Sequence, residues 1–158
     1  MPIGFPSIIV TSGGITIPWV VGMNRLGDSI VDRQDTLIQL MHDHVLADLP
    51  HLADGATITV DFQGDPPDAF RMTEHIINPD GLPKYTTGSA DRSVDIVFTH
   101  GVGTFTLMPN WATAVSSDSA DYAPGATLKG FRLVANWGTD ECEYAFVIRG
   151  DAPITTAG

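Results

Sequence analysis

The segment "LMHDHVLADLPHL" places His42, Asp43, His44, Asp48 and His51 within ten positions of one another. Imidazoles and carboxylates gathered like this hold a zinc ion or run acid–base chemistry when their side chains converge. Convergence depends on the element that carries them. Apolar residues recur at Ile30, Leu37, Ile38, Met41, Val45 and Leu49, the spacing of an amphipathic helix. Asp28 or Ser29 is placed to cap it, Asp32 and Asp35 favour its positive end, and Pro50 follows its stop, so the reading is a helix over about 29–48. On that helix His42 falls on the apolar face beside Ile38, Val45 and Leu46, while His44 lies about 160° away around the axis. Two histidines at i and i+2 of a helix do not chelate one ion; i and i+4 is the helical spacing. His44 and Asp48, four apart, make an ordinary surface pair. His51, past the end, is placed to meet the last carbonyls. The expectation is a helix with a core-facing His42, and neither a metal nor a catalytic site.

Other signatures of chemistry fail on spacing. "HGVGTF" holds a G-x-G without the third glycine, the following helix or the lysine of a phosphate loop. Neither a G-x-S-x-G elbow nor H-E-x-x-H occurs. Asp61, Asp65 and Asp68 in "DFQGDPPD" form the densest carboxylate group, and their positions suit turn formers. A loose calcium site among loop aspartates stays open. Cys142 is the single cysteine, so an intrachain disulfide is impossible; with Glu141 and Glu143 beside it, it reads as an inert inward residue. Of Trp19, Trp111 and Trp137, Trp19 is expected to be the exposed one because it follows Pro18 on a candidate edge strand. No cofactor is expected.

The elements that position these residues are mostly strands. "SIIVT" and "ITIPWVV" flank Ser12-Gly13-Gly14 as a hairpin, with Pro18 confining the second to an edge or bulge. Alternation of period two runs through "ATITVDF", "FRMTEHII", "SVDIVFTH", "TFTLM" and "ECEYAFVIRG". "SVDIVFTH" and "TFTLM" read as one hairpin, with Val94, Ile96 and Phe98 opposite Phe105 and Leu107. "TLKGFRLVANW" changes phase at Gly130, as at a β-bulge. The expected fold is mainly β (α+β): an antiparallel sandwich or barrel of about eight strands with one amphipathic helix packed against it. At 158 residues one domain is expected, with an N-terminal extended arm or hairpin over about 1–22.

A formal charge of −11, from 19 acids against 8 bases, repels a phosphate backbone, so nucleic acid is not an expected partner. No stretch approaches the roughly 20 apolar residues of a membrane helix, and "MPIGFPSIIV" lacks the basic start of a signal peptide. Small, acidic, disulfide-free, β-rich chains of this kind look like accessory virion proteins of tailed phages, such as head decoration, cement or tail proteins. The likeness is one of type; no stretch carries a family motif. The expectation is therefore a non-enzymatic structural subunit of a repetitive assembly, in a virion or otherwise cytoplasmic. Its partners would be copies of itself and other subunits such as a major capsid or tail protein. The interface would use the apolar N-terminal residues Phe5, Ile8, Ile9, Val10, Ile15, Ile17 and Trp19. The alternatives are a carbohydrate-binding sandwich or adhesin, using exposed tryptophan and loop aspartates, and a small His/Asp enzyme.

Overall fold

The computed structural model describes residues 7–26, 29–31, 36–43, 48–64, 66–84, 91–110, 113 and 123–152. Among them the strands are β1 (Ile8–Ser12), β2 (Ile15–Ile17), β3 (Trp19–Leu26), β4 (Ser29–Val31), β5 (Thr57–Phe62), β6 (Ala69–Ile77), β7 (Arg92–Val94), β8 (Val97–Thr99), β9 (Val102–Thr106), β10 (Thr127–Trp137) and β11 (Asp140–Gly150), with one helix, α1 (Thr36–Asp43). They form two antiparallel sheets. Five strands run in the order β2-β1-β5-β9-β8 and six in the order β4-β3-β11-β10-β6-β7. Among the described residues each sheet has two edge strands, so the architecture is an open sandwich rather than a closed barrel. No described helix is long and apolar enough to cross a membrane.

The inner faces meet over one apolar core. Val10, Ile58, Val60 and Phe105 come from the five-stranded sheet, and Phe131, Leu133, Tyr144 and Phe146 from the six-stranded one. Alternation builds this layer directly, since every second residue of a strand points the same way. A second, smaller cluster lies on the other face of the six-stranded sheet, where Leu37, Leu40 and Met41 of α1 cover Leu128, Ala145 and Val147. The layers are therefore sheet, core, sheet, helix.

This arrangement explains the phase change at Gly130, which is not a bulge. β10 keeps continuous register with β11 and with β6 from Leu128 to Asn136. Both of its faces are buried: Phe131 and Leu133 look into the sandwich, Leu128 toward the helix. A Cβ at Gly130 would lie 2.8 Å from Cδ2 of Leu37, so the missing side chain lets α1 settle on the sheet. On the helix's other side, Gly81 has φ of +87°, and a Cβ there would fall 2.5 Å from Cα of Ile38. The "NPDGL" turn therefore presses its backbone directly on α1.

Two expected elements are divided by tertiary pairing. The helix is shorter than 29–48: Ser29–Val31 is a strand paired to β3, Asn24 opposite Val31. Residues 32–35 and 44–47 lie outside the described residues. "SVDIVFTH" is two strands in different sheets. Met72 pairs with Val94 in one, and Val97 pairs with Thr104 in the other. The chain crosses the sandwich at Asp95–Ile96. The first hairpin forms about Gly13 and Gly14, both at positive φ. Pro18 then marks the crossing from β2, an edge of the five-stranded sheet, to β3 in the other.

Candidate functional site

Among the described residues, His42, Asp48 and His51 of the histidine-rich segment are not brought together. His42 is exposed rather than turned to the core, because Leu37, Leu40 and Met41 define the buried face of α1 and His42 lies about 100° around from Met41. Asp48 is exposed, and His44 lies outside the described residues. Among the described residues the His51 ring meets Asp151, its Nε2 2.8 Å from Oδ1. The described residues contain no group of three His, Cys, Asp or Glu side chains that could hold a metal. Asp68 caps a neighbouring hairpin, accepting from the Gly138 N–H at 2.7 Å, and Asp65 lies outside the described residues. Cys142 is fully buried beside Tyr144 in the core. Burial, with Cys142 as neighbour, pushes the Tyr144 hydroxyl far above its usual range.

Trp19 is half-buried against the core, its ring 5.9 Å from that of Tyr144, so it is not the exposed tryptophan expected. Trp137 packs against the same core, and Trp111 lies outside the described residues. Ile8, Val10 and Ile17 are buried in the chain's own core. Of the seven N-terminal residues expected at an interface, only Ile9 and Ile15 keep exposed side chains among those described; Phe5 is outside them.

Charge is buried at a place the sequence reading passed over. On β6, Glu74 shares the inward phase of Met72 and Ile76 and is 1% exposed. Arg92 of β7 grips it from two nitrogens: Nε at 2.8 Å from Oε2 and an Nη at 3.1 Å from Oε1. Asn110 Nδ2 donates to Oε2 at 3.0 Å. Arg92 also donates to the Met108 carbonyl at 2.6 Å and the Pro109 carbonyl at 2.7 Å. From β10, fully buried Lys129 donates to that same Met108 carbonyl at 3.0 Å and to Asp54 at 3.2 Å. Both oxygens of Glu74 are taken, so this chain of contacts ties the segment leaving β9 to three strands of the opposite sheet. With both carboxylate oxygens satisfied, such a network favours one arrangement of the segments it joins. The signal for it was available: Glu74 and Lys129 sit in phase with buried apolar neighbours on their strands.

Beside this brace, a cleft of about 510 Å³ opens between β7 and β9, at the margin where the sandwich is unsealed. Buried Phe105, Leu107 and Phe131 are at its base, and exposed Val97 and Met108 at its mouth. Asp95 stands in the lining as well.

Just past the C-terminal end of β11, Asp151 accepts from the Gly125 N–H at 2.9 Å as well as facing His51. Burial alone would raise its pKa. The Gly125 N–H, His51 and the more distant Lys129 charge outweigh burial and hold the carboxyl below its ordinary 3.8. A depressed carboxylate contributes stability above its unfolded-state pKa and loses it as pH falls through the folded value. The stability gap between the parent and Asp151→Asn is therefore expected to be about 1 kcal/mol or less at pH 6, since the side chain is 36% exposed, and to close as pH falls below 3.8. Thermal unfolding across that range measures it, and a gap independent of pH would remove Asp151 from this role.

The outer face of the five-stranded sheet is the remaining candidate. Cross-strand register lines up Thr16, Thr11, Thr59, Thr104 and Val97 in one row over all five strands. Ile9, Asp61, Val102 and Thr99 form the next row, with Thr57 beside Thr106 at the far side. Threonine suits a solvent-facing strand. The absence of charge is less ordinary: Asp61 is the single ionisable residue of these rows, on a chain with 19 acids and 8 bases. Comparison with family models, with curated proteins and with solved structures gives no match.

Proposed function

We propose that this protein is a non-enzymatic structural subunit that meets neighbouring copies through the outer face of its five-stranded sheet. The observation that carries the reading is that, among the described residues of that face's rows, Asp61 alone is ionisable. Two molecules of formal charge −11 repel each other, so copies approach most readily where neither presents ionised groups. The rows of threonine methyls and hydroxyls, with Ile9, Val97 and Val102, offer flat apolar and hydrogen-bonding surface together.

Size argues for many weak contacts rather than one strong pair. Five strands about 4.8 Å apart and five residues at about 3.3 Å each give a face of roughly 400 Å². A stable two-body interface needs about 800 Å² per partner. A contact of half that size holds when it is repeated, as in a shell or tube where each subunit is fixed by several neighbours. A tailed-phage virion, in its head decoration or tail, is one such setting, and it is supported here by composition alone.

Sedimentation velocity over a concentration series tests the contact. The parent is expected to show a sedimentation coefficient that rises toward millimolar protein. Thr11→Lys combined with Thr59→Lys, which plants charge in the centre of the face, should abolish the rise without unfolding the chain. A parent that stays monomeric throughout, or a double variant that associates equally well, overturns the reading.

A further inference from the structure

The cleft between β7 and β9 has features that a cross-brace does not require. Val97 and Met108, at its mouth, are 66% and 57% exposed, the largest values among the exposed large hydrophobic side chains described. Both line the same cleft as buried Phe105, Leu107 and Phe131, so exposed and buried apolar residues meet at one cavity. Isolated surface hydrophobics need no explanation, whereas a pair at the rim of an apolar cleft marks a place where something apolar sits. The volume of about 510 Å³ lies inside the range of sites that hold small ligands or short peptide segments.

Backbone geometry selects between those two occupants. β8 begins at Val97, opposite Thr104, so its pairing stops there while β9 continues through Phe105 and Thr106. Among the described residues no strand covers that side of β9 beyond Thr104, and β7 on the other wall is itself an edge. Both walls therefore present main chain beside an apolar pocket. An extended peptide answers both features, with its own N–H and C=O groups along the strand and a side chain in the pocket. Charge then restricts the peptide. Glu74 and Arg92 neutralise each other, which leaves Asp95 as the unbalanced charge of the lining.

We propose that this cleft takes an extended segment of a partner protein, carrying an aliphatic or aromatic side chain next to a lysine or arginine. The segment lies along the uncovered stretch of β9, its apolar side chain reaches Phe105 and Phe131 between Val97 and Met108, and its cation faces Asp95. This inference depends on the β7–β9 margin and not on pairing through Thr11 and Thr59.

The test is an amide chemical-shift titration of the whole chain with three probes: acetyl-Ser-Lys-Val-Phe-Ser-amide, the same peptide with glutamate for lysine, and decanoate. Saturable shifts at Ser93, Val97, Thr106 and Met108 are expected with the lysine peptide, at about fivefold higher affinity than the glutamate peptide, the ratio one exposed ion pair supplies. Asp95→Lys, at an exposed position, should reverse that preference, and Met108→Lys should weaken both peptides. Thr11→Lys alone, on β1 two strands from β9, should leave binding unchanged, which separates this site from the self-association face with which it shares Val97 and Thr104. Equal binding of the two peptides, shifts confined to other surfaces, the absence of saturation, or tighter binding of decanoate than of either peptide would each overturn the proposal.

Discussion

Replacing Arg92 by methionine is expected to lower the free energy of unfolding by about 3–5 kcal/mol, among the largest effects of any single charge change in this chain. The cost comes from what stays behind. Glu74 is 1% exposed, and without Arg92 its carboxylate keeps only the Asn110 amide as donor. The Met108 and Pro109 carbonyls lose a donor in the same step. The reverse change, Glu74→Met, should cost less, because the Arg92 side chain is 33% exposed and still holds both carbonyls. The double variant should lose less than the sum of the two, with a coupling of about 0.5–3 kcal/mol. Urea unfolding of the four proteins measures each term. An Arg92→Met protein within about 0.5 kcal/mol of the parent would mean that the brace contributes nothing beyond ordinary surface pairs.

The second large effect is expected at Phe131. Its ring stacks at 5.1 Å from that of Phe146 and lies 5.3 Å from that of Phe105, with no exposed surface. Phe131→Ala removes a ring that joins the two sheets, and should cost about 3–5 kcal/mol through lost burial and the cavity left behind. Phe70→Ala is the internal control. That ring is 38% exposed and touches Phe98 at the sandwich margin, so its removal should cost clearly less. Equal losses at the two positions would show that the cleft above Phe131 lets solvent or neighbouring side chains fill the gap.

Period-two alternation carried most of the sandwich into view, because an inward residue on a strand announces itself by phase. It failed where a strand is buried on both faces. Leu128 is apolar for the helix, and Phe131 and Leu133 for the core, so β10 looked out of phase although its register never shifts. Local signals also lost to pairing over distance. Ile30 and Val31 fit a helical stripe, yet their backbone joins β3 as β4. For His42 the error lay in the width of the assumed stripe. Including Ile38 and Val45 rotated the buried face toward the imidazole, whereas α1 buries Leu37, Leu40 and Met41.

The brace was half legible. Glu74 and Lys129 could be placed inward from their own strands. Arg92, Asn110 and Asp54 reach them from segments 18, 36 and 75 residues away, separations that no local pattern encodes. The threonine rows were hidden for the same reason. "TIT" and "TFT" are each unremarkable, and only cross-strand register makes a surface of them.

The pairing of β3 with β11 has a consequence for synthesis. Val21, near the start of the chain, sits opposite Tyr144 near its end. A ribosome making roughly 5–20 residues each second exposes β3 for several seconds before its partner emerges. During that wait the β1–β2 hairpin can close by itself, whereas Trp19, Val20 and Val21 have no completed sheet to enter. The late hairpin of β10 and β11, adjacent in sequence and paired over eleven positions, is the piece able to form quickly and recruit the waiting strand. β3 thus gains this neighbour only once β11 has been made, and anything that delays residues 140–150 prolongs the exposure of Trp19–Val21.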